Sequence, residues 1–156
     1  MENHDGKKPW LRFDEAIDDF WDRHTKELRI GKEESVLIFG SGTWGRGLFS
    51  YAKNHSLFKV KGFVDNNPST WNTIIMDVTV FSPRECDSGE CADTIFVVAT
   101  VRRPEDIKTQ LRNMGIKENH IRMLDVSDYG IIIRGVLSRK LKGRYSVDEN
   151  YPSEDR

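Results

Sequence analysis

The sequence is poor in several features that would mark whole classes of protein. Only two cysteines, Cys86 and Cys91, occur among its 156 residues, and they lack the second pair or the histidine spacing that a zinc site requires. We therefore expect no metal site and interpret both as structural or incidental thiols. No run of 18 uncharged apolar residues occurs, and the N-terminus has no apolar signal-peptide core. The sequence thus predicts a cytoplasmic protein with no transmembrane segment.

An excess of charge of either sign is also missing. The chain carries 24 basic and 25 acidic residues, which gives a formal net charge of -1. Because no global field attracts polyanions, we expect no nucleic acid among the partners, and any basic site must be local. With 37% hydrophobic residues, the chain is long enough for one ordinary core and too short for two comfortable domains.

What the sequence does contain is an alternation of strand-like apolar runs with helical patterns. An amphipathic helix is predicted from Trp10 to Leu28, ended by Gly31. A helix ending near Asn54 and another from about Pro104, with Gly115 after its C-terminus, separate the later strands. The segment "NNPSTWNTIIMD" is predicted as loop. The five predicted strands are "SVLIFG", "FKVKGFV" ending at Asp65, "VTVFSP", "DTIFVVAT" and "HIRML".

This alternation predicts an α/β fold, a three-layer Rossmann-like domain with a parallel sheet in the order 3-2-1-4-5 and extra helices at both termini. We divide the chain into an N-terminal lead-in helix (1–34), a nucleotide-binding domain (35–126), and a C-terminal basic helix with a flexible tail (127–156).

Three glycines, Gly40, Gly42 and Gly45, follow the first strand in a G-x-G-x-x-G spacing. In a strand-turn-helix unit the first permits the tight turn, the second lets a phosphate approach the backbone, and the third lets the helix lie close to the strand. The helix beginning near Thr43 would direct free N–H groups at the turn, so the loop predicts an anion site.

Asp65 lies 20 residues after Gly45, at the end of the next strand. Its carboxylate could accept hydrogen bonds from a ribose diol, which favours NAD-like ligands over those with a 2′-phosphate. The alternative is a solvated turn or cap carboxylate in "DNNP". The adjacent Asn66 belongs to the same predicted site.

Four further positions, Trp44, Arg46, Arg102 and Arg103, have two interpretations each. Trp44 could shield a nucleotide or pack on a neighbouring loop, and Arg46 could reach a phosphate or remain solvated. In "ATVRRPED", Ala99 and Thr100 would face the glycine loop. Arg102 and Arg103 could clamp a diphosphate or form a solvated basic pair before a helix.

The quoted segments "VLIFGSGTWGRGL", "VKGFVDNNPSTW" and "DTIFVVATVRRPEDIKTQLRNMGI" resemble the Rossmann-like domain of bacterial polysaccharide and sugar-modifying proteins. Relatives include the N-terminal domain of sugar acyltransferases and the NAD-binding half found before sugar-nucleotide dehydratases. The resemblance covers about Ser35 to Leu124. It implies binding of a nucleotide, a nucleotide sugar or NAD at the matching positions, which are Gly40, Ser41, Gly42, Thr43, Trp44, Gly45, Asp65, Ala99 and Thr100.

The chain departs from these relatives in two respects. No hexapeptide repeat follows Leu124, and no tyrosine is followed four positions later by a lysine, so the Tyr-x-x-x-Lys catalytic pair is absent. We therefore lean towards a protein that is not itself an enzyme.

The leading functional hypothesis is a nucleotide or nucleotide-sugar binding module of glycan biosynthesis, with a protein partner from that process and a possible homodimer. One alternative is a degenerate Rossmann domain that holds a partner through Trp10, Phe13, Trp21 or the basic segment from Arg134 to Arg144. The other is a small NAD-dependent enzyme completed by a partner.

Overall fold

The computed structural model of the chain describes residues 9–86, 91, 93–100 and 102–125. The predicted basic helix and tail (127–156) and the side chains of Trp10 and Phe13 lie outside the described part. The helices are α1 (Pro9–Leu28), α2 (Thr43–Asn54) and α3 (Pro104–Asn113). The strands are β1 (Ser35–Phe39), β2 (Lys59–Val64), β3 (Ile74–Ile75), β4 (Val78–Phe81), β5 (Ile95–Val98) and β6 (Ile121–Met123).

The described strands form one sheet in the order β3-β4-β2-β1-β5-β6. All neighbouring pairs are parallel except β3 with β4, which is antiparallel. The five predicted strands therefore lie in the predicted order, and the α/β fold class is confirmed. The additional strand β3 lies at the edge of the sheet, within a segment predicted as loop.

Side chains of β1 point alternately to two hydrophobic clusters, one on each face of the sheet, as the period of two along a strand requires. Val36 and Ile38 pack with residues of α1 and α2. Leu37 and Phe39 pack with Leu111 of α3 on the other face. The central strands β1 and β5 are almost completely buried, which explains why their sequences are continuous apolar runs. The three layers are thus α1 with α2, the sheet, and α3.

The predicted last residue of the first helix, Leu28, is confirmed, but the residue that terminates the helix is Arg29 and not Gly31. Helix α1 ends at Leu28, and Arg29 takes the left-handed conformation with φ of 54°. Gly31 donates its N–H to Glu34 Oε1 and lies in the turn that leads to β1. The predicted stop of α3 is confirmed, because Gly115 follows the last helical residues with φ of 91°. Within the described chain, no helix has the length and apolar character needed to cross a membrane.

Candidate functional site

The glycine loop joins β1 to α2 through a turn with very little free space. Gly40 has φ of 115°, and a Cβ atom placed there would lie 3.4 Å from the carbonyl group of Ala99. A Cβ atom on Gly45 would lie only 1.8 Å from the Gly40 carbonyl oxygen. The first contact shows that the turn after β1 lies directly against the end of β5, and the second shows α2 seated against the end of β1, as the spacing of the first and third glycines predicts.

The N-terminus of α2 carries no side-chain cap. Gly42 occupies the N-cap position in an extended conformation, with φ of -83° and ψ of -158°, and has no side chain to offer. The hydroxyl group of Thr43, the first helical residue, is buried and has no hydrogen-bond partner among the described residues. Unsatisfied N–H groups at the positive end of a helix favour an anion.

Asp65 follows β2 directly and braces the glycine loop. Its Oδ2 accepts hydrogen bonds from both the N–H (3.0 Å) and the hydroxyl group (2.6 Å) of Ser41. Its Oδ1 accepts the N–H of Asn67 at 2.9 Å, the geometry of an Asx turn. The side chain of Trp71 donates to the Asp65 carbonyl oxygen. The carboxylate therefore holds two loops together, and both of its oxygens already accept protein hydrogen bonds.

A crevice of about 280 Å³ opens at the carboxyl ends of β1, β2 and β5. This is the edge of a parallel sheet at which ligands of open α/β folds bind. One wall is formed by the strand ends and by the turn that follows β2, which we call the β2 turn. The other wall is formed by α3 and the segment before it. The lining residues are Phe39, Gly40, Asp65, Asn66, Thr100, Arg102, Arg103, Asp106, Ile107 and Gln110.

A pair of amide side chains bridges the two walls of the crevice. Asn66 Nδ2 donates to Gln110 Oε1, and Gln110 Nε2 donates to Asn66 Oδ1, each at 2.9 Å. On the α3 side, Arg103 forms an exposed ion pair with Asp106 at 2.9 Å. The amide pair thus links the β2 turn to α3 at the crevice, although 44 residues separate its members in the chain.

The structure divides the residues of the predicted site into three groups. Six of them line the crevice, namely Gly40, Asp65, Asn66, Thr100, Arg102 and Arg103. Ser41, Gly42, Thr43 and Gly45 form the adjacent loop and helix start. Thr100 contacts the backbone of Arg102 through its hydroxyl group at 3.2 Å.

Three other predicted residues have contacts within the protein instead. Trp44 is only 2% exposed and packs against Phe20 and Trp21 of α1, with ring centroids 5.5 and 6.0 Å apart. Arg46 donates from Nε to the Ser41 carbonyl oxygen at 2.8 Å, which ties α2 back to the loop. Ala99 is buried and donates its N–H to Phe39.

Sequence reasoning missed the contribution of α3. Asp106, Ile107 and Gln110 line the crevice together with Arg103, and their spacing of three and four residues places them on one face of the helix. That spacing was visible in the sequence. An apolar residue such as Ile107 in this pattern indicates packing against the sheet, so the pattern alone does not distinguish a crevice wall from a core face.

No group of three or more metal-binding side chains lies together in the part of the chain that the structure describes.

Several solved structures have a similar fold and are distant from this chain in sequence. A Rex-family repressor, RSP, superimposes with a TM-score of 0.51 at 19% identity, over 81% of this chain and 68% of that one. RSP in complex with β-NAD+ and operator DNA gives 0.50 at 21% identity, over 82% and 70% of the two chains. UDP-D-quinovosamine 4-dehydrogenase from Vibrio fischeri gives 0.50 at 15% identity, over 80% and 90%. These likenesses show a shared Rossmann-like fold. No curated protein matches the sequence significantly.

The prediction that excluded nucleic acid was wrong. The structure of RSP with operator DNA shows that a protein containing this fold binds DNA. The exclusion rested on the net charge of the whole chain, and such a sum does not describe the charge of any one surface.

The sequence itself places the chain in a family. Residues 32–122, more than half of the 156, match the family model described as C2185-like, N-terminal. The matched region runs from just before β1 into β6 and so includes the glycine loop, Asp65 and the whole crevice. The chain belongs to the C2185-like family, of which it carries the N-terminal domain.

Proposed function

We propose that the crevice binds a nucleotide that carries a diphosphate, either NAD or a nucleotide sugar, and that the protein is a binding module. The observation that carries this proposal is the start of α2. Its N-cap is a glycine without a capping side chain, and the adjacent Thr43 hydroxyl is buried without a partner among the described residues. A phosphate group at this position would satisfy both the N–H groups and the hydroxyl.

The crevice offers polar groups for the rest of such a ligand. Asp65 Oδ1 accepts one hydrogen bond from Asn67, which leaves acceptor capacity for a ribose hydroxyl. A 2′-phosphate next to this carboxylate would be repelled, so we expect NAD to bind more tightly than NADP. The exposed guanidinium group of Arg102 lies in the lining and is suited to a diphosphate.

A binding role is favoured over catalysis by the chemistry of the lining. Apart from two aspartates, the described lining residues include no histidine, lysine, tyrosine or cysteine, the residues that most often act as acids, bases and nucleophiles. The resemblance to domains of sugar acyltransferases supports a role in glycan biosynthesis, in which the ligand is a nucleotide sugar.

The test is a thermal-shift and calorimetric comparison of NAD, NADP, UDP-glucose, GDP-mannose and coenzyme A with the full chain. A ligand at 100 times its Kd should stabilise the protein by about 2.7 kcal/mol. Gly42→Val should abolish binding without unfolding the domain, because the extended backbone at Gly42 accepts any residue while the branched side chain would occupy the phosphate position.

A matched pair of arginine variants separates a specific contact from general charge. Arg102→Gln should weaken the bound nucleotide about tenfold, which corresponds to about 1.4 kcal/mol. Arg84→Gln removes an exposed cation outside the crevice and should leave affinity unchanged. If no nucleotide stabilises the protein, or if Gly42→Val binds as tightly as the parent, the proposal is refuted.

A further inference from the structure

The two cysteines border a second cavity, which shares no lining residue with the crevice. This cavity has a volume of about 490 Å³ and is lined by Leu37, Lys61, Phe81, Glu85, Cys86 and Cys91. Cys86 is buried in the hydrophobic cluster on the α3 face, and Cys91 packs against that cluster while remaining partly exposed. Both sulfur atoms therefore lie at one place in the fold, and both are free thiols.

The backbone on each side of the pair is anchored. Cys86 ends a short 3₁₀ helix (Pro83–Cys86), which is closed by a hydrogen bond from the Ser82 N–H to Glu85 Oε2 at 2.8 Å. Cys91 accepts the N–H of Thr94 at 3.0 Å, in the turn that leads into β5. Both side chains line the same cavity, and Cys91 packs against the hydrophobic cluster that contains Cys86, which places the two sulfur atoms near one another.

The two thiols differ in reactivity. Burial raises the pKa of the Cys86 thiol to about 12, and the neighbouring Cys91 contributes to the same shift. Because the thiolate is the nucleophile, burial makes Cys86 the less reactive of the two thiols towards reagents in solution. Cys91 is the more accessible of the two and is the thiol that an oxidant meets first.

We propose that Cys86 and Cys91 form a reversible intramolecular disulfide when the protein meets a small-molecule disulfide such as oxidised glutathione. In the first step the Cys91 thiolate attacks one sulfur atom of the oxidant, which forms a mixed disulfide and releases one thiolate. In the second step the Cys86 sulfur, after losing its proton, attacks Cys91 Sγ and releases the second thiolate. The two cysteines are oxidised by two electrons, and one molecule of oxidant is reduced to two thiols.

The chain is well suited to a test, because it contains no other cysteine. The full-length protein is incubated with oxidised glutathione, treated with a maleimide and analysed by intact mass. We expect the parent to become two hydrogen atoms lighter, with no glutathione adduct and no maleimide label. Dithiothreitol should restore two thiols that react with maleimide after denaturation in urea.

Two single variants check the order of the steps. Cys86→Ser should stop at the mixed disulfide and carry one glutathione on Cys91, whereas Cys91→Ser should leave Cys86 unmodified in the folded protein. Circular dichroism verifies that both variants are folded. A parent protein that retains two thiols, accumulates a glutathione adduct or forms disulfide-linked dimers would overturn the proposal. Since the test contains no nucleotide, its result is independent of the proposed function of the crevice.

Discussion

Replacing Asp65 by alanine tests whether this carboxylate holds the glycine loop in place. The substitution removes three hydrogen bonds to a carboxylate that is only 8% exposed. Ser41 is 1% exposed, so its N–H and hydroxyl groups would both be left buried without an acceptor, at a cost of about 1–3 kcal/mol each. The Asn67 N–H is partly exposed and can turn to water. We expect a loss of about 3 kcal/mol in the free energy of unfolding.

The measurement is urea denaturation and thermal melting of the parent, Asp65→Ala, Ser41→Ala and the double variant. For a chain of this length, a loss of about 3 kcal/mol lowers Tm by about 6–12 °C. Ser41→Ala removes the hydroxyl and keeps the backbone N–H, so we expect about 1–2 kcal/mol. Because both changes remove the same contact, the double variant should be less destabilised than the sum of the singles, with a coupling energy of about 1–2 kcal/mol.

If the Asp65 carboxylate contributes only to ligand binding, the expected loss of stability will be absent. In that case Asp65→Ala would melt close to the parent and lose only nucleotide binding, and the double variant would be additive. The Ser41→Ala variant separates a contact of Asp65 with the ribose from its role in holding the glycine loop. It leaves the hydrogen bond between Asp65 Oδ1 and Asn67 intact. That variant should lose stability while it keeps the preference for a ribonucleotide over its deoxyribose analogue.

Three further predictions concern other close contacts of the glycine loop, the crevice and α3. Gly45→Ala should destabilise the domain by about 3 kcal/mol or more, because its Cβ would meet the Gly40 carbonyl oxygen at 1.8 Å; an unchanged urea midpoint would contradict the packing of α2 on β1. In a double-mutant cycle on stability, Asn66→Ala and Gln110→Ala should couple by about 0.5–1.5 kcal/mol, and additivity would show that the amide pair does not form in solution. Hydrogen bonding to Arg112, followed by that to Lys108, lowers the pKa of Glu118. The contribution of Glu118 to stability should therefore be present above its unfolded pKa and lost as pH falls through the lower folded value. In Glu118→Gln, the part of the decrease in Tm at acidic pH that comes from protonation of Glu118 should be missing.

The order of the parallel strands could be predicted because strands buried on both faces have a recognisable sequence pattern. The segments at β1 and β5 are uninterrupted runs of apolar residues, and only central strands of a covered sheet need such runs. Strand β3 has no such pattern. It has two residues, one of them exposed, and exists because Ile74 and Ile75 pair with Thr79 and Val78 of β4. A pairing of this kind depends on tertiary structure and was not visible as a local pattern.

The role of Trp44 could not be decided from its position in the loop motif. At the second position of α2 it could point either to the crevice or to the layer above the sheet. The presence of α1 decides the direction, since Phe20 and Trp21 supply an aromatic surface against which Trp44 is buried. Arg46 is similar, because its acceptor is a carbonyl oxygen of the same loop. In both cases a packing partner elsewhere in the fold determines what the side chain contacts.

The acidic residue that follows a G-x-G-x-x-G loop is compatible with two different uses, and both were considered for Asp65. The structure shows the contacts of Asp65 within the protein, and the ribose contact is our proposal. Its Oδ2 is taken up by two donors of Ser41, which fixes the glycine loop, and its Oδ1 caps the β2 turn with one acceptor site remaining at the edge of the crevice. A ribose hydroxyl bound there would add a hydrogen bond to a carboxylate whose position is already determined, so little ordering of the protein is needed on binding. The same contacts that make Asp65 necessary for stability therefore prepare the site that we propose for the ligand.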